Sequence, residues 1–91
     1  MIACFYFTED GEKIAFKIRG HFQDVKIYKK ENYKENLKAV FENFDKIIFI
    51  SAAGIAVRLI APYIRDKWND PAVVVVDDMG RYVISLLSGH F

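Results

Sequence analysis

Four short stretches of this sequence are apolar at nearly every residue, and together they leave few folds open. They are IACFYF (Ile2 to Phe7), VKIY (Val25 to Tyr28), KIIFI (Lys46 to Ile50) and AVVVVD (Ala72 to Asp77). A strand with one wet face alternates apolar and polar residues, whereas a strand covered on both faces does not. Runs this short fall below ordinary helix length and are rich in β-branched and aromatic residues, so they read as buried strands. Helical patterns lie between them, and strands alternating with helices argue a mostly parallel sheet covered on both sides.

The clearest helix is NYKENLKAVFENF, whose Tyr33, Leu37, Val40, Phe41 and Phe44 share one face. Asn32 and Glu35 at its start fit a capping box. The segment after the first strand has two readings. Ile14, Phe16 and Ile18 alternate with charges, as in a strand following an Asp10-Gly11 turn. Ile14, Ile18 and Phe22 fall four apart, as in a helix that Thr8 would cap. At the far end, Asp78 to Gly80 fits a three-residue hairpin loop with Gly80 left-handed, and Arg81 to Leu87 returns as the last strand. The expected fold is therefore α/β, a three-layer sandwich. Its sheet has about five mostly parallel strands and a C-terminal β-hairpin, with the flavodoxin-like order 2-1-3-4-5.

The 91 residues suit one domain, 1–91. Thirteen basic residues oppose 12 acidic ones, and neither half is biased, with 9 against 8 in residues 1–50 and 4 against 4 in residues 51–91. Non-specific nucleic-acid binding needs a basic surface, so no nucleic-acid partner is expected. No apolar run approaches the ~18 residues of a membrane span, and no basic-then-apolar leader opens the chain. The cytoplasm is the expected location, with no membrane partner. The single cysteine, Cys4, excludes an intrachain disulfide and reads as a small buried hydrophobe.

The stretch SAAGIAVRLIAP (Ser51 to Pro62) carries one charge, Arg58, in an otherwise small or apolar helix. Burying an unpaired charge is expensive, so Arg58 needs a partner or a route to water. Helical spacing puts Gly54, Arg58, Ala61 and Arg65 on one stripe. Either that stripe faces solvent and Arg58 covers a little surface, or its guanidinium fork holds a carboxylate or phosphate. Pro62 lacks the N–H that would bond the Arg58 carbonyl, so the helix should kink or stop there. Ser51 to Gly54 lies where a strand ends and a helix begins, the place where open α/β sheets bind ligands. Small residues there also serve tight packing.

Ser88-Gly89-His90 follows the last strand, but sequence adjacency is not triad geometry. One cysteine and two distant histidines make no zinc site, so no metal ligands are expected. Asp77-Asp78 fits turn chemistry better than paired catalytic acids.

The second half of the chain carries Gly-Ile-Ala-Val-Arg, Ile-Ala-Pro, Asp-Pro-Ala-Val-Val-Val-Val-Asp and Ile-Ser-Leu-Leu-Ser-Gly-His, in that order. From about Ile47 to His90 it closely resembles the N-terminal domain of the cobalamin-biosynthesis protein G family, the cobalt-precorrin-5A hydrolases of the anaerobic vitamin B12 pathway. Residues 1–46 resemble that family in layout, which tips the Thr8–Gly11 segment toward helix. The resemblance implies a hydrolase that opens a δ-lactone on a cobalt-bound tetrapyrrole and releases acetaldehyde. It implies substrate contacts at Ser51, Gly54, Arg58, Ser88, Gly89 and His90, and assigns no catalytic base or nucleophile. Cobalt is expected within the tetrapyrrole substrate, with no cofactor bound by the protein itself. In the family the Ser-Gly-His motif continues into Gly-Gly-Ala-Asn and further domains. The expected partners are therefore the substrate and either a separate chain supplying the missing domains or a second copy of this one. The other reading is a non-catalytic assembly module, docking through an exposed patch of Ile55, Leu59 and Ile60.

Overall fold

A computed structural model describes residues 1–88, Ser88 through its backbone alone. The elements in chain order are β1 (Ile2–Tyr6), α1 (Glu9–His21), β2 (Val25–Tyr28), α2 (Tyr33–Asn43), β3 (Lys46–Ile50), α3 (Ala53–Ile60), β4 (Ala72–Val76) and β5 (Val83–Ser88). They build a five-stranded sheet in the order β2-β1-β3-β4-β5. The first four strands are parallel and β5 is antiparallel to β4. The α/β class, the strand order and the terminal hairpin all match expectation.

The apolar runs are continuous because both faces of the sheet are covered. Ala3, Phe5, Ile47, Phe49, Val73 and Val75 face one way, into a core shared with Leu37, Val40 and Phe41 of α2 and Ala56 and Ile60 of α3. Phe5 stacks between Tyr28 and Phe49, at ring-centroid distances of 4.8 and 5.2 Å. Cys4, Tyr6 and Ile50 face the other way, against Ala15 of α1 with Ile14 and Ile18 beside it.

The ambiguous segment is a helix. The Thr8 hydroxyl accepts the Gly11 N–H at 2.9 Å, and acidic residues fill the first turn while Arg19 and His21 close the last. Both arrangements complement the helix dipole. Of the helical pattern, Ile14 and Ile18 pack on the sheet beside buried Gly11 and Ala15 while Phe22 is exposed, and Phe16 of the strand pattern is exposed.

Four local expectations need correction. Asn32 makes no side-chain cap, because it already ends a 3-10 turn (Lys30–Asn32) and its carbonyl accepts from the Asn36 amide at 2.7 Å. Strand β5 begins at Val83 rather than Arg81. The Asp77 carboxylate holds the Met79 and Arg81 N–H groups at 2.5 and 3.1 Å, which keeps Arg81 and Tyr82 in the turn. Gly80 is left-handed in that turn as expected, at φ 74°. Arg65 is off the α3 stripe: the α-helix stops at Ile60, a 3-10 turn (Ala61–Tyr63) spans Pro62, and Arg65 pairs with buried Asp70 at 3.7 Å. Finally, of the three residues expected to form an apolar patch on α3, Ile55 is exposed, but Leu59 is half-buried and Ile60 is 2% exposed.

Candidate functional site

Because β1 pairs with β2 on one side and β3 on the other, the chain reverses its winding direction between them. Crevices at the carboxyl ends of strands next to such a switch point are where open α/β sheets take ligands. A cleft of about 380 Å³ sits there, walled by Phe7 and Thr8 after β1, Ser51, Ala52 and Ile55 after β3, and the Asp77–Tyr82 loop after β4.

The polar groups of this cleft differ in how far they are committed. The Ser51 hydroxyl donates to the Ala52 carbonyl at 3.0 Å, and its N–H donates to Val76 O across the sheet at 3.0 Å. Asp77 is occupied on both oxygens by the turn, with the Arg81 Nε 3.5 Å away. The Met79 N–H, seconded by Arg81, holds its carboxyl below the usual aspartate range. Asp78 receives one contact, from the Thr8 hydroxyl at 3.4 Å. A second cleft on the other side of Thr8 contains Glu9, Glu12 and Glu31 with Lys29 and Lys30. There the Tyr6 hydroxyl donates to Glu12 at 2.7 Å, and that bond together with burial pushes the phenol up to about 12.

Of the residues singled out in the sequence, Ser51 lines the switch-point cleft. Gly54 is exposed in the first turn of α3, where an added Cβ would meet nothing within 4 Å. Arg58 is exposed on the same helix but belongs to a different groove, between α2 and α3, of about 310 Å³. Among the described residues it has no ion pair. Ser88 is the last residue of β5 and pairs with Ala72, the first of β4, whereas Ile50, just before Ser51, pairs with Val76, the last. Ser88 therefore leaves the sheet at the end opposite Ser51, about 16 Å away along a five-residue strand. Gly89 and His90 lie outside the described residues.

Thr8, Asp78, Arg81 and Tyr82 line the cleft without having been singled out as binding residues. A signal for the last three existed, since the loop after β4 sits at a parallel strand's carboxyl end. Lys34, which shares the Arg58 groove, left no such signal. Among the described residues there is no cluster of three or more metal-ligating side chains, and no helix long and apolar enough to cross a membrane.

Comparison with known proteins adds a second line of observation. The family model described as cobalamin synthesis G N-terminal matches residues 35–91, which includes most of α2 and so begins earlier than Ile47. A cobalt-precorrin-5A hydrolase from Salmonella typhimurium is 52% identical over 58 residues, covering 64% of this chain and 16% of that protein. One from Priestia megaterium is 37% identical over 100 aligned positions, covering 91% of this chain and 27% of that protein. A crystal structure of a cobalamin biosynthesis protein G homolog from Sulfolobus solfataricus superimposes with a TM-score of 0.83 at 32% identity, covering 99% of this chain and 30% of that one. The chain thus spans less than a third of each of these proteins.

Proposed function

Because the chain belongs to the cobalamin synthesis G N-terminal family, we propose that it supplies substrate contacts for a cobalt-precorrin-5A hydrolase in cobalamin biosynthesis. The ligand is a cobalt-bound tetrapyrrole lactone rimmed by carboxylates, and the cobalt arrives as part of that substrate. Lactone opening and acetaldehyde release are the work of the whole enzyme, with further domains or a second chain completing the site. This chain's part is to bind and orient, through Ser51, Gly54, Arg58, Ser88, Gly89 and His90.

The observation that carries this reading is Arg58. It is an exposed guanidinium on the helix that opens at the switch-point cleft, and no acidic side chain among the described residues satisfies it. A guanidinium fork left open in this way matches a carboxylate in geometry and charge. Titration of a cobalt-corrinoid polycarboxylate into the wild-type chain and Arg58→Ala tests it. Loss of one charge-assisted contact should weaken binding about tenfold. Equal affinity would remove Arg58 from the substrate's surroundings and the reading with it.

A further inference from the structure

The clefts of this protein are not electrically alike, and the difference says where carboxylates go. The switch-point cleft contains Asp77 and Asp78 against one arginine. The neighbouring cleft contains Glu9, Glu12 and Glu31 against two lysines. Both present fixed negative charge to an anionic ligand. Two clefts are lined by cations and no carboxylate: one beside β2 with Lys26 and Lys29, where Lys26 already lies over the Tyr28 ring at 5.3 Å, and the groove between α2 and α3 with Lys34 and Arg58.

We propose that the groove between α2 and α3 is a two-cation carboxylate clamp, with Lys34 of α2 and Arg58 of α3 gripping separate carboxylates of one ligand whose apolar body lies along Leu59, Pro62 and Tyr63. The inference rests on the substrate-contact reading above and adds Lys34 to it. Among the described residues, neither cation is engaged in an ion pair, a side-chain hydrogen bond or a stack on an aromatic ring. Among the described residues, the ion pairs take the Met1 ammonium, Arg65 and Arg81, and the cation–π contacts take Arg19, Lys26, Lys67 and Arg81. Lys34 and Arg58 are therefore available to a ligand without first breaking an internal contact.

The groove walls are held from behind. Tyr33 packs edge-on against Phe7 at 5.4 Å, and Tyr63 packs against buried Phe41 at 6.1 Å. The 3-10 turn at Pro62 ends α3 immediately after the Arg58 turn and brings Tyr63 back toward α2. The two cations stand on separate helices and border one groove, so a single ligand can reach both. A ligand with one carboxylate engages one side, and a ligand with several engages both. A flat macrocycle rimmed by carboxylates, with an apolar face between them, has that form.

The test is calorimetric titration of cobyrinic acid, its methyl ester and uroporphyrin into the wild-type chain and the variants Lys34→Ala, Arg58→Ala and Lys17→Ala. Lys17 is exposed on α1, across the sheet, and controls for the loss of one charge. The clamp predicts about tenfold weaker cobyrinic acid binding for each groove variant, with Lys17→Ala unchanged. It predicts no measurable binding of the ester. Loss with Arg58→Ala but not Lys34→Ala would overturn the clamp and leave the substrate-contact reading standing. Uroporphyrin binding as tightly as cobyrinic acid, with both groove variants weakened, would keep the clamp and overturn the corrinoid reading. Ester binding equal to the acid, or a Lys17→Ala loss equal to the groove variants, would overturn the clamp outright.

Discussion

Two glycines in α1 should respond in opposite directions to the same substitution. Alanine is about 1 kcal/mol better than glycine inside a helix, and that gain is available at both Gly11 and Gly20. At Gly20 an added Cβ meets no atom within 4 Å. Gly20→Ala should therefore keep the gain, reduced to about 0.5 kcal/mol because the last turn frays. At Gly11 the Cβ would stand 3.1 Å from Thr8 Oγ1 and 3.2 Å from Ile50 Cγ2. Neither neighbour is free to retreat. Thr8 is fixed by its cap bond to the Gly11 N–H, and Ile50 is fully buried in the sheet.

Overpacking of that kind costs about 1–3 kcal/mol, and turning Thr8 aside to relieve it costs about 1 kcal/mol of cap. Set against the propensity gain, Gly11→Ala should lose about 1–3 kcal/mol. For a chain of this size that is a fall in Tm of about 4–24 °C, against a rise of about 2–4 °C for Gly20→Ala. Thermal melts followed by far-UV circular dichroism, with urea midpoints as a second measure, decide the matter. A Gly11→Ala protein as stable as wild type would refute the idea that α1 docks on the sheet through a glycine that nothing larger can replace.

Other outcomes follow from the site and the core. Asp77 has its folded-state pKa held below the ordinary aspartate value, so its contribution to the hairpin is present above that value and is lost as pH falls through and below it. The Tm gap between wild type and Asp77→Asn should hold from pH 7 to about 4 and close below that; a gap unchanged down to pH 2 contradicts the assignment. Burial pushes the Cys4 thiol up to about 12, so it should resist an alkylating reagent at neutral pH until the chain unfolds. Rapid labelling of the native protein would contradict its place in the core.

The strands were legible because double burial writes itself into a sequence as unbroken apolar runs, and every run became a strand within a residue or two. Helix α1 was legible in part: the Thr8 cap and the Ile14–Ile18 spacing marked it, but Gly11 and Ala15 carry the close contact, and neither registers as hydrophobic periodicity. The same cause misplaced Ile60. Helix α3 buries Ala53, Ala56 and Ile60 as i, i+3 and i+7, and the two alanines let it sit low enough to bury the isoleucine beside them. Arg58 was legible as the one charge on a 3.6-residue period. Lys34 was not, since its neighbourhood is made by α2 packing beside α3, a tertiary fact that one charge among 13 on a near-neutral chain does not announce.

The direction of each strand decides which loops can share a site. Strands β1, β3 and β4 are parallel, so the loops beginning at Phe7, Ser51 and Asp77 emerge on one edge although more than 40 residues separate the first two. Strand β5 reverses, so Ser88 returns to the amino end of β4, and the sequence similarity that runs unbroken through Arg58 and Ser88 covers two ends of the sheet. A ligand touching both must lie along the molecule rather than enter a pocket. Lys34 stands in the first turn of α2, near the carboxyl edge, and Arg58 toward the end of α3, so the clamp lies on the outer flank of the helix layer in a groove that no carboxylate lines.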